Sequence, residues 1–215
     1  MAWLDGLRAS ELPDASALIL LMAVGSGAGH VGVCPDIDVC RFPGRTWFFT
    51  VNLLERRRRL LVDHIDLLRA AFHVARMARP FEVVAMVVLP DHLHCIWRLP
   101  EGDADNAARW SYIKAGFSRG RPATEWRNAS RRGKRERGIW QRRFWARVIV
   151  DDDDLRSHVD YMHYNPVKHG HVVRAVDWPH SSVHRWIARG DLPSDWGVAS
   201  VGDIQGHRVG LGPPE

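Results

Sequence analysis

Two groups of residues carry side chains whose spacing could do chemistry. The first is His92-Leu93-His94. On a β-strand, residues i and i+2 point to the same side, so the two imidazoles would stand together as a clamp for a divalent metal while Leu93 enters the opposite layer. By itself the pair fits two structural histidines equally well. The second is Tyr161-Met162-His163-Tyr164-Asn165-Pro166. On a helix, Tyr161 and Asn165 lie one turn apart on one face, and Tyr161 and Tyr164 are near neighbours. A tyrosine is a possible nucleophile for covalent catalysis. Tyrosines at this spacing also serve as packing at a core margin, and Asn before Pro is an ordinary helix end.

Two further stretches invite a chemical reading. Asp151 to Asp154 form an acidic run, which fits a helix N-cap and first turn better than a metal site, because carboxylates there accept from free N–H groups and oppose the helix dipole. From position 119 to 147 there are eleven Lys and Arg against two Glu, a local net of +9 in a chain of net +5, which leaves the remainder near −4. Trp140, Phe144 and Trp145 interleave with Gln141, Arg142 and Arg143. Arginines contact phosphates and aromatic rings stack on unpaired bases, so this stretch suits single-stranded or hairpin DNA. Arg131, Arg132, Arg135, Arg142 and Arg143 are the candidate phosphate contacts. A solvated strand edge with buried tryptophans is the plainer alternative.

The elements that must position these residues follow from periodicity. Residues 46–54, dense in aromatic and β-branched types, read as a strand. An arginine run at 56–59 precedes a helical stripe over 60–79, stopped by Pro80. Residues 81–88 form a continuous apolar strand, Leu89-Pro90-Asp91 a tight turn, and 92–99 a returning strand. A helix over 104–119, a long basic loop, a strand at 147–150, and a helix ending at Asn165-Pro166 follow, with a short helix over 178–189. The order strand, helix, hairpin, helix, strand, helix predicts an α+β ferredoxin-like sandwich, an antiparallel sheet with helices on one face.

Residues 1–40, rich in Gly, Ala and Ser, read as a poorly ordered extension, 41–190 as the working domain and 191–215 as a tail. The apolar stretch at 17–24 is too short to cross a membrane and lacks a basic flank. Cys34, Cys40 and Cys95 lack disulfide-framework or zinc-ribbon spacing and read as reduced thiols. A cytoplasmic protein with no membrane partner is expected.

The order of these motifs resembles the REP-associated tyrosine transposases, single-strand transposases of the HUH class. Val88-Leu89-Pro90-Asp91-His92-Leu93-His94-Cys95-Ile96-Trp97 resembles the family's two-histidine motif, and the segment from Tyr161 through Asn165-Pro166 to Gly170 its tyrosine helix. The segments 41–51, 138–145 and Trp178-Pro179-His180-Ser181-Ser182 resemble the opening strand, the motif before the tyrosine helix and the family's ending. The resemblance covers about 41–190 and misses both termini. It implies a divalent metal, Mg²⁺ or Mn²⁺, on His92, His94 and Asn165, and Tyr161 as the nucleophile. Imidazole softness alone would also allow zinc. The implied substrate is single-stranded DNA bearing a REP-type hairpin, cut and rejoined through a 5′-phosphotyrosine by a monomer or homodimer. Lys168 and His163 are candidate helpers of tyrosine deprotonation. The competing readings are a non-catalytic hairpin-binding module, a metal-dependent nuclease with further carboxylate ligands, and a replication initiator or relaxase.

Overall fold

The computed structural model describes residues 44–198, apart from Thr124 and Arg135. The expected N-terminal extension therefore lies outside the described residues, as does the tail beyond 198. The elements are β1 (Thr46–Asn52), α1 (Leu60–Asp63), α2 (Ile65–Ala78), β2 (Glu82–Val88), β3 (His92–Arg98), α3 (Asn106–Arg119), α4 (Ala129–Gly133), β4 (Trp145–Val148), α5 (Asp152–Lys168) and α6 (Val183–Arg189).

The strands form one antiparallel sheet in the order β2-β3-β1-β4. This is the ferredoxin-like arrangement expected from the sequence. Trp47, Phe49, Val51, Leu93, Cys95 and Trp97 point to one face, where α2 and α3 supply Leu68, Phe72, Trp110, Ile113 and Phe117. Phe49 sits among Trp97, Trp110 and Phe144 at ring separations of 4.4, 5.4 and 5.7 Å. Arg109, buried on α3, is held by Asp103 at 2.6 Å and by the Pro80 carbonyl at 2.7 Å, so its charge is compensated.

The placement of helices departs from the expectation of a single covered face. β1 and β3 are buried on both sides, and α5 covers the second one. Phe48, Ala85, Val87 and Ile96 of the sheet meet Val159 and Met162 of α5 there. The reason lies in composition: Phe48 and Ile96 of the central strands join Ala85 and Val87 of β2 in an apolar patch on the second face, and that patch needs a partner. α5 also continues through Pro166 to Lys168, with His169 N–H donating to the Asn165 carbonyl at 3.0 Å. The missing proline N–H falls in the last turn, where the helix can complete itself. β4 begins at Trp145, two residues before expectation, and the basic loop holds the short helix α4. The stripe over 60–79 is interrupted at His64, and the last helix starts at Val183.

The acidic run is a cap. Asp151 Oδ1 accepts from the Asp154 N–H at 2.7 Å, and Asp154 in turn accepts from the Val150 N–H at 3.1 Å and pairs with Arg147 at 3.3 Å. Asp151→Ala should cost about 1 kcal/mol of stability by urea unfolding, because it frees a first-turn N–H. An unchanged midpoint would remove the cap as an anchor of α5.

Candidate active site

The site lies where α5 crosses the end of β1 and β3. The register pairs Thr50 with His94 and Asn52 with His92. Both imidazoles therefore face α5, with ring centroids 5.1 Å apart. Tyr161 stands across from them, its ring 5.4 Å from His94 and 6.2 Å from Phe48. Asn165 is one turn further along the same helix face and fully buried. The structure thus brings together His92, His94, Tyr161 and Asn165.

Each histidine is tethered through Nδ1. Asp91 Oδ1 accepts from His92 Nδ1 at 2.7 Å, and Asp91 Oδ2 accepts from Arg56 Nε at 2.7 Å. Burial alone would raise the Asp91 carboxyl, but its bonds and charges with His92 and Arg56 hold it well below the usual carboxylate range. Thr50 Oγ1 lies 2.9 Å from His94 Nδ1. Burial, then the nearby His92, His169 and Lys168 charges, push the His94 pKa far down, so the ring is neutral. The Asn165 amide lies close enough to oppose that shift. Yet neither His94 Nε2 nor either Asn165 side-chain atom meets hydrogen-bond geometry with any described residue. Three buried polar atoms without partners at one place are costly unless a ligand completes them.

That donor set fits a divalent metal. Two tethered imidazoles present Nε2 and an amide presents its oxygen, with Asp91 supplying the outer carboxylate that commonly orients a ligating histidine. Among the described residues no cluster of three or more His, Cys, Asp or Glu side chains forms. Asp91 is already engaged by His92 and Arg56.

Of the two candidate helpers, Lys168 lies over the Tyr161 ring at 5.6 Å. His163 does not face the site. Buried, with its pKa lowered to about 3, it bonds Ser182 Oγ at 2.9 Å and packs against Trp186 and Trp196. Two positions beyond Tyr161 on a helix is the wrong face. Tyr164 also turns away, toward Trp196 at 6.5 Å.

The candidate phosphate contacts divide. Arg131 and Arg142 share Glu136 at 3.3 and 3.0 Å, and Arg132 donates to the Arg127 carbonyl at 3.0 Å. Arg143 is exposed, and Arg135 lies outside the described residues. Trp126, in the same loop, is 82% exposed, a costly position for an indole on a surface with no partner. Asp91, Arg56 and Thr50 went unread in the sequence, where Pro90-Asp91 signalled only a turn. The adjacency of Asp91 to His92 was the one available sign.

A ferredoxin-like sheet whose strand histidines face a helix-borne tyrosine and amide is the arrangement expected of a tyrosine transposase. The comparisons agree. No family model matches the chain. A REP-associated tyrosine transposase of Escherichia coli is 47% identical over 167 residues, spanning 78% of this chain and 91% of that protein. A Haemophilus influenzae relative assigned to the same family is 47% identical over 156 residues, 72% of this chain and 88% of its own length. A solved REP-associated tyrosine transposase bound to a REP hairpin is 45% identical, covers 78% of this chain and 91% of its own, and superposes with a TM-score of 0.63. The chain belongs to the REP-associated tyrosine transposases. Among the described residues no helix is long and apolar enough to cross a membrane.

Proposed function

We propose that this transposase cuts and rejoins single-stranded DNA at a REP-type hairpin, with Tyr161 as nucleophile and His92, His94 and Asn165 as ligands of Mg²⁺ or Mn²⁺. The observation that carries this reading is the convergence of His94 Nε2 and the Asn165 amide, buried and without partners, beside Tyr161. The tautomer that donates from Nδ1, to Asp91 in His92 and to Thr50 in His94, leaves each Nε2 with its lone pair. A divalent ion bound there supplies polarisation of a non-bridging phosphate oxygen. The hard-cation choice follows family resemblance and the amide oxygen.

The chain's own residues do the rest. The Tyr161 oxygen attacks phosphorus and the phenolic proton is lost. The P–O3′ bond breaks, the DNA 3′-hydroxyl leaves with a proton, and a 5′-phosphotyrosine remains. Lys168, above the Tyr161 ring, is the candidate helper of proton loss that stands at the site. Reversal by another 3′-hydroxyl reseals the strand without a nucleotide cofactor, since one phosphodiester replaces another. Arg131, Arg132, Arg135, Arg142 and Arg143 contribute phosphate contacts, with the Arg–Glu pairs at Glu136 reorganising when DNA binds. Residues 1–40 and 191–215 flank the working domain, and the protein acts in the cytoplasm as a monomer or homodimer.

The test is a denaturing gel of the protein with end-labelled single-stranded hairpin DNA. A shifted band that survives denaturant, appears with Mg²⁺ or Mn²⁺ and vanishes with chelator is expected. Binding without such a band on any hairpin would favour the non-catalytic module. Asp91→Asn should weaken metal binding by about 10–100-fold, measured by calorimetry with Mn²⁺, since the His92 tether loses its charge. Unchanged affinity would show that Asp91 does not orient His92.

A further inference from the structure

Outside the basic stretch at 119–147 lies a second cationic feature, the loop Glu55-Arg56-Arg57-Arg58-Arg59. Both ends of this loop are bonded to the turn that launches His92. Leu53 N–H donates to the Asp91 carbonyl at 2.8 Å, and Leu61 N–H donates to the Pro90 carbonyl at 3.2 Å. Leu54 N–H donates to the Ile139 carbonyl at 2.8 Å, which laces the loop to the motif before β4 as well. Four arginines are therefore held between the histidine pair and the long basic loop, and their order gives them different surroundings. Arg56 turns inward to Asp91. Arg59 stays within 3.9 Å of Asp63. Arg57 and Arg58 are exposed, and their side chains make no hydrogen bond or ion pair among the described residues. This contrasts with Arg131 and Arg142, whose charge is shared with Glu136.

Adjacent exposed cations without counter-charge repel each other and gain from a polyanion. Their separation from the site is short, because the loop closes on Pro90 and Asp91. The charges of this loop reach both sides: Arg59 is felt at His171, and Arg58 at Arg121 of the basic stretch. The occupant that fits is an unpaired phosphodiester strand running between the cutting site and the long basic loop. A duplex is too stiff to follow the loop down to the histidines, whereas a single strand bends freely.

We infer that Arg57 and Arg58 grip backbone phosphates of the single-stranded DNA flanking the bond that is cut, while Arg56 braces the His92 turn through Asp91. The inference rests on the DNA-cleavage reading above and adds the residues that hold the flank. The hairpin foot and the scissile phosphate are thereby tied to one rigid loop, which fixes the distance between them.

The experiment measures anisotropy of two labelled DNAs over a salt series, one a hairpin with short single-stranded flanks and one the same hairpin trimmed blunt. For Arg57→Ala/Arg58→Ala, affinity for the flanked hairpin should fall about tenfold near 0.1 M salt, and the log–log salt slope should become shallower by about 1.4, two lost contacts on a single strand. Affinity for the blunt hairpin should change by less than about twofold, the effect of a weak long-range charge alone. Arg57→Lys/Arg58→Lys should restore both values, which also shows that the loop still folds. Unchanged binding of the flanked hairpin overturns the inference, as does an equal loss on both DNAs. A wild-type protein that binds neither DNA overturns the cleavage reading and this inference together, whereas wild-type cleavage beside an unaffected double variant removes only the inference.

Discussion

Tyr161→Phe should abolish the denaturant-resistant protein–DNA complex, lowering strand cleavage by more than about 10³-fold, while DNA affinity stays within about twofold. The substitution removes one oxygen and leaves the ring, which keeps its place against Phe48 and His94 and beneath Lys168. The hydroxyl is not part of the apolar core, so unfolding should shift by less than about 0.5 kcal/mol. Phosphate contacts lie elsewhere on the surface, so binding has no reason to fall. Tyr164→Phe is the control, because Tyr164 turns toward Trp196 and should cleave within about twofold of wild type. A covalent band that survives in Tyr161→Phe and disappears in Tyr164→Phe would move the nucleophile to Tyr164 and require α5 to rotate.

Asn165→Leu should separate the site's chemistry from its stability in opposite directions. In the absence of metal, Asn165 is a buried amide with neither side-chain atom partnered among the described residues. Burying an unpaired amide is unfavourable, and a leucine of similar shape removes that cost, so the metal-free variant should be as stable as wild type or more stable by about 1 kcal/mol. With metal present the order reverses. Wild type should gain thermal stability with the logarithm of free Mn²⁺ once the site fills, since a ligand that binds only the folded chain stabilises it. Asn165→Leu should lose most of that gain and cleave at least about 10²-fold more slowly, from the lost metal ligand. Differential scanning fluorimetry with and without Mn²⁺, beside a cleavage assay, reads both effects. A variant that is less stable without metal and equally stabilised by it would make Asn165 a structural residue.

The sheet was legible because its signals are local. The density of aromatic and β-branched residues at 46–54 and the Pro-Asp turn before His92 name the two central strands, and the strand period puts both histidines on one side. The tyrosine helix was legible as an element, and the shared face of Tyr161 and Asn165 followed from the helical period. What the sequence does not carry is the third dimension. The second face of the sheet is apolar enough to demand a cover, but nothing local says that α5 provides it. Pro166 is an ordinary stop signal, yet the helix runs on to Lys168 and places it over Tyr161. Arg56 and Asp91 are 35 residues apart and meet because the β1 loop closes on the β3 turn. The arginines at 131 and 142 read as free charge, although both pair with Glu136 a few residues away.

The Trp178-Pro179-His180-Ser181-Ser182 segment runs along the outer side of β2. Val88 N–H donates to the His180 carbonyl, Ser182 N–H to the Met86 carbonyl and Met86 N–H to Ser182 Oγ, each at 2.8 Å, while Trp178 Nε1 donates to the Val88 carbonyl at 2.9 Å. Arg185 reaches the Val83 and Val84 carbonyls beyond them. The exposed rim of an apolar strand is a template for unwanted pairing between molecules. A chain cut short before Trp178 would therefore present a sticky selvedge, and its first defect would be clumping during purification rather than slow turnover.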